Sequence, residues 1–385
     1  MPPPRILLVN DHPARGGIGR YAWELHHALR ALAPPPVHID LLLQNMPGHV
    51  NPDEWHAPAD RATGSTVTVQ PRPPWAKATG FGTAYLLNSH LYFPRRIPAG
   101  YDLYHFSSQM MGAGVRHATP AVVTVQDLIA LRLGANHPGL STWLRRRHFH
   151  PLQRARGLIF ASEYSRRDFL GQFDYPESRT SVVHHAVGPS FAPRDRTASR
   201  DSLGLGRERP VLLHVGSEER RKNVETLLNA LALMVKARPD LLLVRVGGPS
   251  ARTRRRIAHL GLERHVQYRS GLTEDQLTAA YSAADIFVFP SYFEGFGFPV
   301  LEAMMAGCPV VAARATSIPE ITGDAAVLVE AMDARELAAA IAALLDDPER
   351  RAALRAAGMR RAREFTWERA ARQTADAYFR ALDPG

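Results

Sequence analysis

The chain reads as an α/β protein of two domains, each a parallel sheet covered on both faces by helices. Three observations predict this. Apolar strand-like runs alternate with helical runs along the chain, the alternation restarts after residues 188–210, and 385 residues are long for one core but comfortable for two.

The first strand is expected at Arg5-Ile6-Leu7-Leu8-Val9-Asn10, followed by a glycine loop and a helix from about Gly19 to Leu32. Val37 to Leu43 reads as the second strand. Residues 44–100 are rich in Pro, Gly and His with weak periodicity, and predict loops and short elements only. Strand-like runs return at Asp102 to Phe106, Ala121 to Val125, Leu158 to Ala161 and Thr180 to His184, with helices over 141–156 and 163–173. Residues 188–210 carry Pro, Gly, Ser and Arg with little apolar content and read as an interdomain linker. The second alternation places strands at Val211 to Val215, Leu241 to Val246, His265 to Tyr268, Ile286 to Phe289, Val310 to Ala312 and Ala326 to Val329. Its helices are expected at Asn223 to Ala237, Ala251 to Leu260, Thr273 to Ala283 and Pro299 to Ala306, then Ala334 to Leu345, Pro348 to Glu364 and Trp367 to Leu382.

No apolar run approaches the roughly 18 to 20 residues that span a bilayer. The opening Met1-Pro2-Pro3-Pro4-Arg5, followed at once by a strand, does not read as a signal peptide. The single cysteine, Cys308, excludes an internal disulfide and any cysteine-based metal cluster, and a reducing, cytoplasmic setting is expected. The formal charge of +10 suits nucleic acid, an anionic membrane surface or a phosphorylated substrate. Its texture argues against nucleic acid, because the arginines are scattered and no aromatics interleave with them as stacking platforms. The densest basic cluster is Arg145-Arg146-Arg147-His148 with Arg154 and Arg156, beside Trp143, Leu144 and Phe149. A solvated helix face is the plainer reading; attraction to anionic lipid, at about 1 kcal/mol per basic residue, is the sharper one and would make the protein peripheral on the inner face of the membrane. Only Lys77, Lys222 and Lys236 are lysines, so a lysine between Arg221 and Asn223 stands out from a background of arginine.

The strongest chemical pattern is a pair of glutamates eight positions apart, Glu294 and Glu302, directly after the strand Ile286 to Phe289. The strand delivers the first carboxylate to the carboxyl edge of the sheet, where open α/β sheets place ligands. Gly295 and Gly297 let the backbone approach a ligand, and Pro299 suits the first helical turn. The amides of Val300 and Leu301 would then point at an anion favoured by the helix dipole, with Glu302 a turn further in, near a ribose. The plainer alternative is a strand-loop-helix connection with two solvated glutamates. A rival chemistry sits near the start. Gly17-x-Gly19-x-x-Ala22 after a strand, with Asp40 about twenty residues on, satisfies the dinucleotide fingerprint and predicts an NAD-dependent oxidoreductase.

Ser291-Tyr292-Phe293-Glu294-Gly295-Phe296-Gly297, then Glu302-Ala303-Met304-Met305-Ala306-Gly307-Cys308-Pro309-Val310-Val311, Pro319-Glu320 and Gly323-Asp324-Ala325-Ala326 together resemble glycosyltransferase family 4. The resemblance extends to Gly16-Gly17-Ile18-Gly19-Arg20-Tyr21, Val122 to Leu128, Ala161 to Arg167, Arg221-Lys222-Asn223 and Phe365-Thr366-Trp367, nearly the whole chain. It implies the GT-B architecture: two Rossmann-like domains with parallel sheets facing across a cleft, residues 1–190 on the acceptor side and 191–366 binding the nucleotide sugar. A last helix, 367–385, would cross back to the first domain.

The activity it implies is retaining transfer of a hexose, mannose or glucose favoured, from a nucleoside-diphosphate sugar to an oligosaccharide or lipid-linked hydroxyl acceptor, with no cofactor or metal. Lys222 and Arg221 would face the diphosphate, Glu294 the donor sugar with the amides of Phe296 and Gly297, and Glu302 the ribose diol. Gly16, Gly17, Gly216, Gly248, Ser270, Leu272, Val300 and Leu301 complete the expected donor-binding set. Two departures stand out. Gly216 is followed by Ser217 where relatives often carry an arginine, leaving Arg220 and Arg221 as alternatives for the second cation. Gln126-Asp127 stands where His-Asp is usual; glutamine keeps hydrogen bonding but cannot change charge near neutral pH, which also opens the reading of a non-catalytic nucleotide-sugar-binding protein. Gln126 is expected at the reacting sugar and Asp127 and His105 on the acceptor side, while His105 and His12 also read as structural histidines.

Overall fold

The computed structural model describes residues 2–12, 17–44, 66–70, 92–132, 146 and 149–383. The chain divides into two compact units, residues 1–185 with 367–385 and residues 186–366. The first unit holds a seven-stranded, all-parallel sheet of β1 (Arg5–Asn10), β2 (His38–Gln44), β3 (Val67–Gln70), β4 (Leu103–Phe106), β5 (Ala121–Val125), β6 (Gly157–Phe160) and β7 (Thr180–Val182), in the order β3-β2-β1-β4-β5-β6-β7. β4 and β5 are buried along their whole length, which is why they read as mostly apolar runs, interrupted by His105 and Thr124, rather than alternating ones. Its helices are α1 (Gly17–Ala31), α2 (Ile129–Arg132) and α3 (Glu163–Leu170). α1 buries Tyr21, Ala22, Leu25 and Leu29, the spacing of one helical face.

The second unit holds a six-stranded parallel sheet of β8 (Val211–Val215), β9 (Leu242–Val246), β10 (Val266–Arg269), β11 (Ile286–Phe289), β12 (Val310–Ala313) and β13 (Val327–Val329), in the order β10-β9-β8-β11-β12-β13. Its helices are α4 (Arg196–Ser202), α5 (Val224–Met234), α6 (Ala251–His259), α7 (Glu274–Ala283), α8 (Phe298–Met305), α9 (Ile318–Thr322), α10 (Ala334–Asp346) and α11 (Pro348–Ala362). Leu227, Leu231, Leu243, Ile286, Val288 and Ile341 form the centre of one of its apolar layers. Among the described residues no helix is long and apolar enough to cross a membrane.

α12 (Trp367–Leu382) packs on the first unit. Its small buried face, Ala370, Ala371, Thr374, Ala375, Ala377 and Ala381, lets the helix sit close, and Tyr378 inserts a polar tip. The Tyr378 hydroxyl lies 2.7 Å from His105 Nδ1, whose Nε2 lies 2.7 Å from Thr124 Oγ1, itself 2.8 Å from the Tyr21 hydroxyl. Burial pushes the pKa of His105 down to about 3, so this chain of hydrogen bonds is held by a neutral ring.

Two expected stretches differ. The helix over 141–156 is not formed at its end: His150–Arg154 is a short 3-10 turn with Pro151 at its start, because proline lacks the N–H that a helix running through it needs. The remainder of that helix, and the basic cluster on it, lie largely outside the described residues. Residues 188–210 are not a linker but part of the second unit, with Phe191 buried and α4 capped by Asp195, whose Oδ1 accepts the Ala198 N–H at 2.7 Å. One buried charge holds this apolar-poor segment. Arg200, 1% exposed, donates to the carbonyls of Ala283 at 3.0 Å and of Gly206 and Arg209 at 2.9 Å, and to Asp285 Oδ2 at 2.8 Å.

Asp285 also accepts the Val211 N–H at 2.7 Å, so it couples the start of β8 to this segment. Asp285→Ala strands a buried guanidinium and is expected to cost about 3 to 5 kcal/mol. A clear fall in the urea midpoint checks this, and Asp285→Asn should lose less.

Candidate active site

In the second unit the strand order reverses between β8 and β11, and open α/β sheets bind ligands outside the carboxyl ends of their strands at such a reversal. The loop after β8 carries Arg221 and Lys222, and the loop after β11 carries Glu294. The structure brings these three together. Lys222 Nζ lies 2.7 Å from Glu294 Oε1, and Arg221 donates through one terminal nitrogen to Glu294 Oε2 at 2.8 Å. Ser291 Oγ donates to Glu294 Oε1 at 2.5 Å, and the Glu294 N–H donates to Thr316 Oγ1 at 3.0 Å. Burial opposes ionisation of Glu294, but the charges of Lys222 and Arg221 and hydrogen bonds from Lys222 and Ser291 outweigh it and hold its carboxyl below the usual range. The ammonium of Lys222 also lies 5.0 Å from the centre of the Phe289 ring. Arg220 is exposed, so Arg221 is the second cation of this cluster.

Local sequence explains the convergence. A 3-10 turn, Arg220–Lys222, ends at Asn223, which takes the left-handed conformation (φ 54°) that asparagine tolerates better than most residues. Asn223 Nδ2 donates to the Pro290 carbonyl at 3.1 Å, and the Tyr292 N–H donates to the Arg221 carbonyl at 3.0 Å, with Ser291 Oγ 2.9 Å from the same oxygen. These bonds stitch the two loops across the reversal. Thr316 also sits at positive φ (50°), a strained position for a β-branched residue that costs on the order of 1 to 3 kcal/mol. The strain is compensated where its hydroxyl accepts the Glu294 N–H.

The glycines divide by need. A Cβ on Gly216 would lie 3.2 Å from His214 Cε1, a tight contact, and 3.5 Å from Lys222 Cδ, an ordinary one, so the buried imidazole sets the constraint there. Gly248 has open space around it, whereas a Cβ on its neighbour Gly247 would lie 2.5 Å from the Gly216 carbonyl oxygen. The steric constraint therefore falls on Gly247, which the sequence pattern did not single out. Gly297 has φ 111°, and Ser317 Oγ donates to the carbonyls of Glu294 at 3.1 Å and Phe296 at 2.9 Å, fixing the loop that leads into α8.

One expectation at this helix is overturned. The Val300 and Leu301 N–H groups are not free for an anion but donate to the Gly297 carbonyl at 3.0 and 3.3 Å, because the carbonyl of the residue that caps a helix accepts its first internal bonds. Glu302 is buried rather than solvated, and the Tyr281 hydroxyl donates to its Oε2 at 2.8 Å. Ser270 is exposed and Leu272 half-buried; both follow β10, two strands from β8, and are not brought to the Lys222–Glu294 cluster. Between them and the cluster lies a residue that sequence reasoning missed. Arg245 is fully buried, pairs with Glu218, and donates to the Tyr268 hydroxyl and the Gly216 carbonyl, each at 3.3 Å.

The first unit holds the other expected residues. Gly17 opens α1 and is exposed, and Gly16 lies outside the described residues. His105 is not on an acceptor side: it is sealed within β4 between Thr124 and Tyr378, with no exposed surface. Asp127 Oδ1 accepts the Ile129 N–H at 2.9 Å, an N-terminal contact for α2. His12 pairs with Asp11 at 2.6 Å. Gln126 follows β5 directly and is buried; its Nε2 donates to the Ser107 carbonyl at 2.9 Å and its Oε1 lies 2.6 Å from His185 Nε2. Asp40 fails the dinucleotide role. It lies near the amino end of β2, opposite Leu7, and its oxygens accept the Thr66 N–H at 2.7 Å and the Tyr101 hydroxyl at 2.8 Å. Cys308 is buried, and burial pushes its thiol pKa up, which suits an inert core residue. Among the described residues no group of three or more His, Cys, Asp or Glu side chains is arranged to hold a metal ion.

Comparison with known proteins identifies the family. The family described as "Glycosyl transferases group 1" matches residues 195–361, and "Glycosyltransferase Family 4" matches residues 15–191. O-antigen chain mannosyltransferase B of Escherichia coli is 31% identical over 265 residues, 67% of this chain and 70% of that protein. A D-inositol 3-phosphate glycosyltransferase of Thermobispora bispora is 36% identical over 231 residues, 56% of this chain and 54% of that protein, so the match spans about half of its length. Among solved structures, sucrose-phosphate synthase of Thermosynechococcus elongatus aligns with a TM-score of 0.77 at 23% identity, covering 98% of both chains. Anabaena HepE, solved in complex with UDP-glucose, aligns with a TM-score of 0.74 at 20% identity, covering 98% of this chain and 99% of that one. Those two likenesses show the fold, two parallel-sheet α/β domains of the GT-B type. By its sequence matches and by its fold, this chain belongs to glycosyltransferase family 4, the glycosyl transferases group 1.

Proposed function

We propose that the chain transfers a hexose, with mannose or glucose favoured, from a nucleoside-diphosphate sugar to a hydroxyl of an oligosaccharide or lipid-linked acceptor, with retention and without a metal. The observation that carries this reading is the buried cluster of Lys222, Arg221 and Glu294 at the reversal of the second sheet. A departing diphosphate gathers negative charge as the glycosidic bond breaks, and preorganised cations stabilise that charge most in a water-poor site. Lys222 and Arg221 are held in place by the acid between them, so they need no reordering when the leaving group develops its charge. Glu294 and Glu302 are both committed to hydrogen bonds and ion pairs, which supports a front-face route in which the leaving phosphate assists deprotonation of the acceptor. Glu302, gripped by Tyr281, is the acceptor of hydrogen bonds suited to a ribose diol.

The mannosyl transfer named for the E. coli relative and the UDP-glucose held by HepE support a hexosyl donor. A role in surface polysaccharide or glycolipid assembly, at the inner face of the membrane, fits the first relative's name and the charge of +10. Asp40, already saturated at the far end of its strand, disfavours the NAD-dependent alternative.

A thermal-shift screen of UDP-, GDP- and ADP-sugars, with and without chelator, tests the donor. One of them at a hundred times its dissociation constant should stabilise the protein by about 2.7 kcal/mol, chelator should leave the shift in place, and NAD should give none. Slow hydrolysis of that donor would argue against a purely binding role. Lys222→Ala is expected to lower turnover about a hundredfold or more, with folding retained, in line with the roughly 2.7 to 4 kcal/mol lost on removing one such group. A near-wild-type rate removes Lys222 from the mechanism.

The depressed pKa of Glu294 sets a pH signature. Its contribution to folding is fully present above the ordinary carboxyl value of 4.5 and is lost as pH falls through its lower folded-state value. Glu294→Gln should therefore lower the urea midpoint at pH 7, and the gap to wild type should narrow below about pH 4.5. A gap that stayed constant to pH 3 would mean the carboxylate is not what the cations hold.

A further inference from the structure

The carboxyl edge of the first sheet carries polar chemistry that the reading above leaves unused. Its strand order reverses between β1 and β4, and the ends of β1, β4 and β5 there present Asn10, Ser107 and Gln126 side by side. Ser107 Oγ donates to Asn10 Oδ1 at 2.8 Å, and the Gln126 backbone N–H donates to Gln109 Oε1 at 2.9 Å. His185 adds an imidazole to this row from the segment after β7, with its ring 4.4 Å from that of Tyr21.

The bonding roles here follow from one acceptor. The Ser107 carbonyl has no proton to give, so the atom of Gln126 at 2.9 Å from it must be the amide nitrogen. Oε1 then faces His185, and a carboxamide oxygen only accepts, so His185 Nε2 must carry the hydrogen of their 2.6 Å contact. Gln126 Nε2 spends one N–H on Ser107, which leaves the second for a ligand at the sheet edge. We propose that His185 is a positioning residue: by donating Nε2–H to Gln126 Oε1 it joins the Ser107 carbonyl in fixing the carboxamide at both ends, in the orientation that offers its second amide N–H to a sugar hydroxyl of the substrate. Without that bond the carboxamide is held only at the Ser107 carbonyl and can swing about that contact, so its second N–H loses a fixed direction.

The supporting electrostatics agree. Burial, with His184 and Arg20 close by, pushes the pKa of His185 down to about 3, so the ring keeps a neutral, fixed donor across the working pH range. This edge therefore offers a hydrogen-bond donor that does not titrate, where a histidine in place of Gln126 would.

The inference rests on the transferase reading for its kinetic consequence, and two measurements keep the two separable. In transfer assays, His185→Ala should reduce kcat/KM about tenfold, and His185→Asn, which restores a neutral amide donor, should recover part of it. Adding His185→Ala to Gln126→Ala should cost nothing further, because the histidine acts only through the glutamine; an equal loss in both backgrounds overturns the proposal. Nitrogen-15 NMR of histidine-labelled wild-type protein, with His185→Ala to assign the signal, reads the tautomer directly. A protonated Nε2 and bare Nδ1 are expected, and the opposite tautomer overturns the proposal whatever the activity. A wild-type chain that turns over no nucleotide sugar, while showing the expected tautomer, removes the transferase reading and leaves the positioning geometry standing.

Discussion

The buried contact between Glu294 and the cations of the preceding loop is the constraint on which the second unit's chemistry depends. A carboxylate away from water is costly unless paired and hydrogen-bonded, and this one accepts from Lys222, Arg221 and Ser291. That requirement dictates much around it. Asn223 takes the left-handed conformation directly after Lys222, and Thr316, at positive φ, accepts the Glu294 N–H. The ion pairs thus fix Lys222 and Arg221 against one buried acid.

The first unit solves a different problem with neutral groups. His105 and His185 are both buried and both kept uncharged, one sealed between Thr124 and Tyr378 and the other facing Gln126. The first is architectural, because it fastens α12 to the sheet. The second sits at the carboxyl edge, where the same chemistry becomes an orienting device. Two histidines with similar surroundings thus differ in role through their position along a strand, one within it and one beyond its end.

Much of this was legible in the primary structure because local patterns carry it. Short apolar runs marked every strand of the second unit to within a residue or two, and Trp367 to Leu382 was placed at its observed limits, because strands covered on both faces leave a continuous apolar run and an amphipathic helix a periodic one. What escaped notice lacked that signature. Residues 188–210 looked like a linker because a single buried guanidinium, Arg200, replaces the apolar content by which folded segments are recognised. Gly247 escaped because its constraint is a carbonyl on the neighbouring strand, and Arg245 because a charged residue inside a strand reads as exposed until its partners are known.

By itself the sequence determined the class of fold, which follows from the spacing of strands and helices along the chain, and, through the likeness of its motifs, the family. Only the tertiary structure decided that Arg221 rather than Arg220 joins Lys222, that the Val300 and Leu301 amides are spent on Gly297, and that His185 reaches Gln126. The physical reason is common to all three. A hydrogen bond or ion pair is settled within about 3 Å and by direction, and residues 59 or 73 positions apart, such as Gln126 with His185 or Arg221 with Glu294, acquire that closeness only when the strands that precede them are assembled into one sheet.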